Sequence, residues 1–287
     1  MNEPNKGLTL EEMKAKADFI RKDLVEVCVR NQAGHIAPSL SAVDYLTVLY
    51  YRVLRHNGDP LWSERDRVVF SKAHGAYGLY AILSDLGYVS REEWEKFYTF
   101  KDGKKLSRLA GCCEMDLEIG LEAGCGSLGH GLPMAVGMAF GYKAQKKTGR
   151  IYAVVGDGEM QEGSNWEALQ FAAKMGLDNL TVIIDNNGLQ AMDHLSNVLT
   201  VGDVTEDLHR KFEAFGCLTE RCDGHDIAAL TEQLERYAKG GIGRPQVMLA
   251  KCIKGYGLKA IENVAKFHFR IPTPEEIAFG TRYDQGQ

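Results

Sequence analysis

The chain has 287 residues, 45% of them hydrophobic, with a formal net charge of −5 and seven cysteines. Charges of both signs are mixed along it, which excludes a basic nucleic-acid footprint, and no apolar run approaches the roughly eighteen residues of a membrane helix. The N-terminal MNEPNKGLTLEEMKAKADFIRK is polar and helical rather than a signal peptide, and the odd set of cysteines lacks zinc-site spacing. These features predict reduced thiols in a cytoplasm; adjacent Cys112 and Cys113 cannot close an unstrained disulfide with each other.

In chain order, periodicity predicts helices near 9–30, 41–54, 75–86, 90–98, 130–147, 163–176, 206–215 and 226–239. Strands are predicted near 67–71, 151–155, 180–185, 217–222 and 246–252. No linker, low-complexity tract or internal repeat divides them. Helices between short apolar strands imply an α/β fold: a doubly wound, mainly parallel sheet with helices on both faces. We expect one such domain over 1–287, with a helical N-terminal extension.

The most informative stretch is GDGEMQEGSNWEALQFAAKMGLDNLTVIIDNNGLQ, residues 156–190. The apolar run RIYAVV breaks at Gly156. A helical pattern through Trp166, Leu169, Gln170 and Ala173 follows, stopping at Gly176. NLTVIIDNN is then a second β-branched strand ending in turn residues. This βαβ unit puts Asp157 and Asn187 at the carboxyl ends of parallel strands, where open α/β sheets bind ligands. Gly156 and Gly158 let backbone approach a ligand closely, and the helix beginning near Ser164 is expected to aim its positive end at the same edge. A carboxylate, a side-chain amide oxygen and a backbone carbonyl are hard ligands. With diphosphate oxygens and water they complete the octahedron that Mg²⁺ demands. Each motif alone is an ordinary turn; the pairing at this spacing reads as a metal–diphosphate clamp.

Four weaker signals accompany it. His35 lies in a Gly-His turn, and His74 follows a strand in RVVFSKAHGAYGLYAIL. LEAGCGSLGHGLPMAVGMAFGYK is a glycine-rich loop opening an apolar helix. His268 follows the loop of KCIKGYGLKAIENVAKFHFRIPTPEE. Taken singly, each is as readily a turn histidine, a close-packed helix start or a surface residue.

Together with the clamp, and in this order, these pieces resemble the N-terminal half of transketolase. The matches are Gly34-His35, SKAHG at 71–75, GSLGHG at 126–131, Gly156 to Gly158 with Asn187, and Phe267-His268-Phe269. The likeness runs from about residue 9 to 279. It implies thiamine diphosphate and Mg²⁺ as cofactors, with Asp157, Asn187 and the carbonyl of Leu189 as metal ligands. It implies His74 beside diphosphate and thiazolium, with His35 and His268 in the substrate channel as proton shuttles or hydroxyl partners. Gly126 and Leu128 are expected to hold the aminopyrimidine, and Glu162 to sit behind the clamp against a partner.

The family also needs a pyrimidine-binding domain, which carries the glutamate that promotes ylide formation. The chain ends at Gln287 without it, so the resemblance implies the N-terminal subunit of a split transketolase, assembled as an α2β2 heterotetramer with a C-terminal subunit. The reaction implied is transfer of a two-carbon ketol unit between sugar-like carbonyl compounds. Departures cluster at the substrate end. Gly111-Cys112-Cys113 stands where the family reads Gly-His-Pro, His130 replaces a glutamine, and the Trp-His-Gly motif has lost its Trp and Gly. An atypical donor is therefore expected, unless His130 reaches into the vacated space. The alternatives are the α subunit of a 2-oxo acid dehydrogenase and a non-catalytic cofactor-binding subunit.

Overall fold

The fold is built on a five-stranded sheet in which every pairing is parallel. The computed structural model describes residues 7–191 and 193–278; the ends of the expected 1–287 domain lie outside them. The chain opens with α1 (Leu10–Arg30), whose cap Thr9 and third residue Glu12 bond each other's backbone reciprocally. Next come α2 (Ile36–Leu40), α3 (Val43–Val48) with a π-helical turn over Leu49–Val53, and β1 (Arg67–Phe70). Then follow α4 (Tyr77–Asp85), α5 (Arg91–Glu95) and a hairpin of β2 (Phe100–Lys101) and β3 (Lys104–Lys105). The second half alternates: α6 (Gly131–Ala144), β4 (Ile151–Gly156), α7 (Gly163–Lys174), β5 (Leu180–Asn186), α8 (Val204–Ala214), β6 (Leu218–Asp223), α9 (Ile227–Ala238), β7 (Gln246–Lys251) and α10 (Pro274–Ala278).

Strand order is β1-β4-β5-β7-β6. β4 and β5 are buried along their whole length, as central strands covered on both faces must be, which is why they read as apolar runs. Helices α6, α7 and α8 pack together or on the sheet on one side, and α1, α3, α4 and α9 form the other layer. The N-terminal α1 packs against α3, α4 and α9.

Every expected strand is present to within a residue or two at its ends. The differences are local. The helix expected from 75 starts only at Tyr77, after a 3-10 turn at Ala73–Gly75, because β1 must first deliver His74 to the sheet edge. α2, α10 and the hairpin went unread. The hairpin turns on Asp102-Gly103, both at positive φ, with strands too short to show any alternation. In α7 the buried stripe is Asn165, Leu169 and Ala172, and Gln170 faces water. No described helix is long and apolar enough to cross a membrane.

Candidate active site

β4 and β5 end side by side, and the loops that follow them are bonded to each other. Asp157, directly after β4, accepts from its neighbour Gly158 N–H at 2.8 Å through Oδ1 and from Gly188 N–H at 2.6 Å through Oδ2. The second bond joins the GDG motif to the NN motif across 31 residues of sequence. Asn187 Oδ1 accepts from Leu189 N–H at 3.0 Å, closing an Asx turn.

Above this junction lies a cavity of about 340 Å³. Of the residues singled out in the sequence, His35, His74, His268, Gly126, Leu128, Gly156, Asp157, Gly158, Asn187 and Leu189 all line it. A Cβ added at Gly156 meets no protein atom closer than 3.8 Å, so this glycine relieves no internal clash; the missing side chain leaves room in the cavity.

Glu162, expected behind the clamp against a partner, is the exposed cap of α7 and does not line the cavity; its stem packs on Gly129, where a Cβ would lie 2.6 Å away. The first turn of α7 does not line the cavity either: a 3-10 turn, Gly158–Gln161, intervenes, and Ser164 Oγ donates to Gly129 C=O at 2.6 Å. The turn directs Glu159 inward, a residue the sequence reading missed. Its buried carboxylate accepts from Gly129 N–H at 3.0 Å, Gly156 N–H at 3.2 Å and the Ser71 hydroxyl, tying the glycine-rich loop to β1 and β4.

Asp157 is only 4% exposed, and burial pushes its pKa up to about 7, with nearby Asp185 adding to the rise. A divalent cation beside it removes that penalty. Among the described residues no cluster of three or more His, Cys, Asp or Glu could hold a metal. A cation here must therefore draw on Asp157, amide and carbonyl oxygens of Asn187 and Leu189, and oxygens of a ligand. That donor set fits Mg²⁺ bound to a diphosphate.

Three imidazoles of the cavity lining crowd together. The His35 ring centroid lies 5.6 Å from that of His74 and 5.3 Å from that of His268; His74 and His268 are 5.0 Å apart. Burial is the first cause that drives all three down, to about 4 for His35, about 3 for His268 and well below the ordinary value for His74. Lysines supply the second push, Lys254 for His35 and His268 and Lys72 for His74. Rings depressed this far are neutral near pH 7, each with one N–H to donate and one nitrogen to accept. His35 adopts φ +52, and its Nδ1 is buried without a partner among the described residues.

Lys254, also missed, is 1% exposed; its Nζ lies 2.9 Å from His268 Nδ1 and 3.3 Å from Gln190 C=O. An ammonium only donates, so His268 Nδ1 accepts and Nε2 carries the hydrogen. Burial, and then Lys72, lowers Lys254 to about 8. The strand end before it is held by His225, whose Nε2 accepts from Ile253 N–H at 2.8 Å while Nδ1–H donates to Asp44 at 2.7 Å.

Cys112 lines the cavity, and its neighbour Cys113 anchors the loop, donating N–H to Ala73 C=O at 3.3 Å and accepting from Cys125 N–H at 3.2 Å. His130 is exposed and does not line the cavity, so it does not fill the space of the missing histidine. Phe269, itself exposed, packs edge-on against His35 with ring centroids 4.6 Å apart.

A parallel, doubly wound sheet with this clamp at its carboxyl edge defines a thiamine diphosphate-binding fold. The family model "Transketolase, thiamine diphosphate binding domain" matches residues 12–279, and the chain belongs to the transketolase family. It is 39% identical over 275 residues to an apulose-4-phosphate transketolase subunit of Actinobacillus succinogenes, covering 94% of this chain and 95% of that one. It is 34% identical over 260 residues to a 6-deoxy-6-sulfo-D-fructose transketolase subunit of Clostridium sp., covering 90% of both. Transketolase of Campylobacter jejuni superposes with a TM-score of 0.82 at 28% identity over 94% of this chain, which spans only 42% of that protein.

Proposed function

We propose that this chain is the diphosphate-binding subunit of a two-component, thiamine diphosphate- and Mg²⁺-dependent transketolase that transfers a two-carbon ketol unit between sugar-like carbonyl compounds. The observation that carries the reading is the convergence of the Asp157–Asn187–Leu189 oxygen set and the three neutral imidazoles on one cavity. Relatives that are themselves named as subunits of a transketolase, matched over nearly their whole length, support a separate partner. On this reading the chain forms one domain, and the pyrimidine-binding domain belongs to the other subunit.

Bound thiamine diphosphate supplies the electron sink for C–C cleavage. The protein's part is placement. Asp157, Asn187 and the Leu189 carbonyl would hold the metal and, through it, the diphosphate; Gly156 and Gly158 would leave it room, and Gly126 and Leu128 would receive the aminopyrimidine. His74 would serve the diphosphate end, while His35 and His268 would offer neutral ring nitrogens to substrate hydroxyls. His268 donates through Nε2–H, since Lys254 occupies Nδ1. Lys254 brings a cation to a site that takes up an anionic cofactor and, on the sugar-phosphate reading, an anionic substrate.

An exposed apolar face supports the partner reading. Phe140 of α6 and Phe171 of α7 meet at 5.4 Å between centroids, and Met175 continues the patch, all more than a third exposed. Such a face on two adjacent helices suits docking of another α/β unit in an α2β2 assembly. A cytoplasmic setting is supported by the seven cysteines, all unpaired.

The test is to co-purify the chain with the partner that carries the pyrimidine domain, then assay ketose donors with aldose acceptors. Ketol transfer that requires both polypeptides is expected. Acyl transfer to a lipoyl domain instead would favour the 2-oxo acid dehydrogenase reading, and no turnover with any donor would favour the non-catalytic one.

A further inference from the structure

We propose that Asp185 is a positioning residue that decides which end of the Asn187 side-chain amide faces the metal site. The inference rests on the cofactor reading above. Asp185 is the penultimate residue of β5 and is fully buried, a lone carboxylate in an apolar strand. Its Oδ2 accepts from Lys72 Nζ at 2.5 Å, Ser41 Oγ at 2.7 Å and Tyr45 OH at 3.0 Å. Its Oδ1 accepts from Asn187 Nδ2 at 2.9 Å.

A carboxylate held ionised only accepts, so the NH₂ end of Asn187 must turn towards Asp185. On the other side of the amide, Oδ1 faces the N–H of Leu189, which only donates. The two neighbours therefore select the same rotamer. A flipped amide would set oxygen against carboxylate and NH₂ against N–H. The selected rotamer presents oxygen on the side of the 187–189 loop, which Gly188 ties to Asp157. The flipped one would aim N–H groups at the cation. Lys72 has a matching task. It compensates Asp185 on the oxygen away from Asn187, so a second carboxylate can lie close to Asp157 without competing for the metal. Outer-layer partners of this kind govern metal affinity by about 10–100-fold.

The test exchanges the two side chains. Asp185→Asn gives position 187 a neighbour that can itself flip, and the amide at 187 loses its orientation. In Asp185→Asn/Asn187→Asp the carboxylate at 187 presents oxygen either way, the amide at 185 can donate to it, and net charge is unchanged. Calorimetric titration of Mg²⁺ in the presence of thiamine diphosphate, on the chain with its partner, should show about tenfold or greater weakening in the single variant. The exchange should return affinity to within about threefold of wild type, since an oxygen again faces the metal. In the metal-free chain, the ¹⁵N-labelled Asn187 side-chain amide should exchange slowly with solvent, and faster in Asp185→Asn.

Unchanged Mg²⁺ affinity in Asp185→Asn overturns the inference, as does an exchanged protein that folds yet binds weakly. If neither variant folds, the wild-type amide decides: slow exchange supports the lock and free exchange overturns it. A wild type that binds no Mg²⁺ overturns the cofactor reading itself, and this inference with it.

Discussion

Lys254 Nζ lies 2.9 Å from His268 Nδ1, a buried cation donating to a half-buried neutral imidazole 14 residues further along the chain. The pair fixes the tautomer of His268 and, with burial, makes its ring hard to protonate. Lys254→Met should therefore raise the titration midpoint of His268 from about 3 towards the ordinary 6.5, without reaching it, because burial remains the larger cause. Imidazole resonances followed by NMR across pH 3–8 would check this; an unmoved midpoint would show that the contact carries no charge effect.

The same imidazoles make the protein acid-labile. Their folded-state pKa values, about 4 for His35 and about 3 for His268, lie below 6.5, so the unfolded chain binds protons that the folded chain refuses. The stability they contribute is complete above pH 6.5 and is lost as pH falls through about 4 for His35 and about 3 for His268. Tm should decline over this window, and His35→Gln/His268→Gln should flatten that decline. An equal slope in wild type and variant counts against the assignment.

At the clamp, Asp157→Ala removes the single carboxylate of the proposed metal set. Mg²⁺-dependent thiamine diphosphate binding should fall by about 100-fold or more, beyond the roughly 10–100-fold typical of losing an outer-layer partner, because a direct charged ligand is removed. Wild-type affinity by calorimetry in this variant would refute the clamp.

Assembly should depend on the apolar face. Phe140→Asp/Phe171→Asp changes two exposed rings, 38% and 44% accessible, so the isolated chain should keep its fold and Tm. Association with the pyrimidine-domain partner should be lost in sedimentation analysis, and turnover with it. Unchanged association would place the interface elsewhere.

The substrate end should favour an unusual donor. Cys112 puts a small, weakly donating thiol where the family has a two-sided ring, and burial pushes that thiol up, so it stays protonated. Phe269 adds an apolar ring edge-on against His35. Wild type is expected to use xylulose 5-phosphate poorly beside donors that lack the usual hydroxyl contact or are bulkier there. Cys112→His should shift kcat/KM towards xylulose 5-phosphate by about tenfold or more, as expected when a buried polar contact is restored. A wild type that already prefers xylulose 5-phosphate, with no shift in the variant, would sink the idea.

The strand ends were legible in the sequence because a parallel strand buried on both faces is written as a continuous apolar run, and its break marks the ligand edge. That alone put Asp157, Asn187 and His74 at one rim, and the same local grammar marked the GSLG loop and the turn at His35. Tertiary structure decided the layer behind them. Lys72, Glu159, Asp185 and Lys254 sit in stretches that read as solvated charge or strand interior, and nothing local says which charges are buried. Lys72 meets Asp185 across 113 residues and Glu159 meets Gly129 across 30, pairings that exist only once β1, β4 and β5 are aligned. Glu162 and Glu159 are equally plausible from spacing alone. A 3-10 turn between β4 and α7 sends one carboxylate into the core and leaves the other in water, because only one could find buried N–H and O–H donors to offset its desolvation.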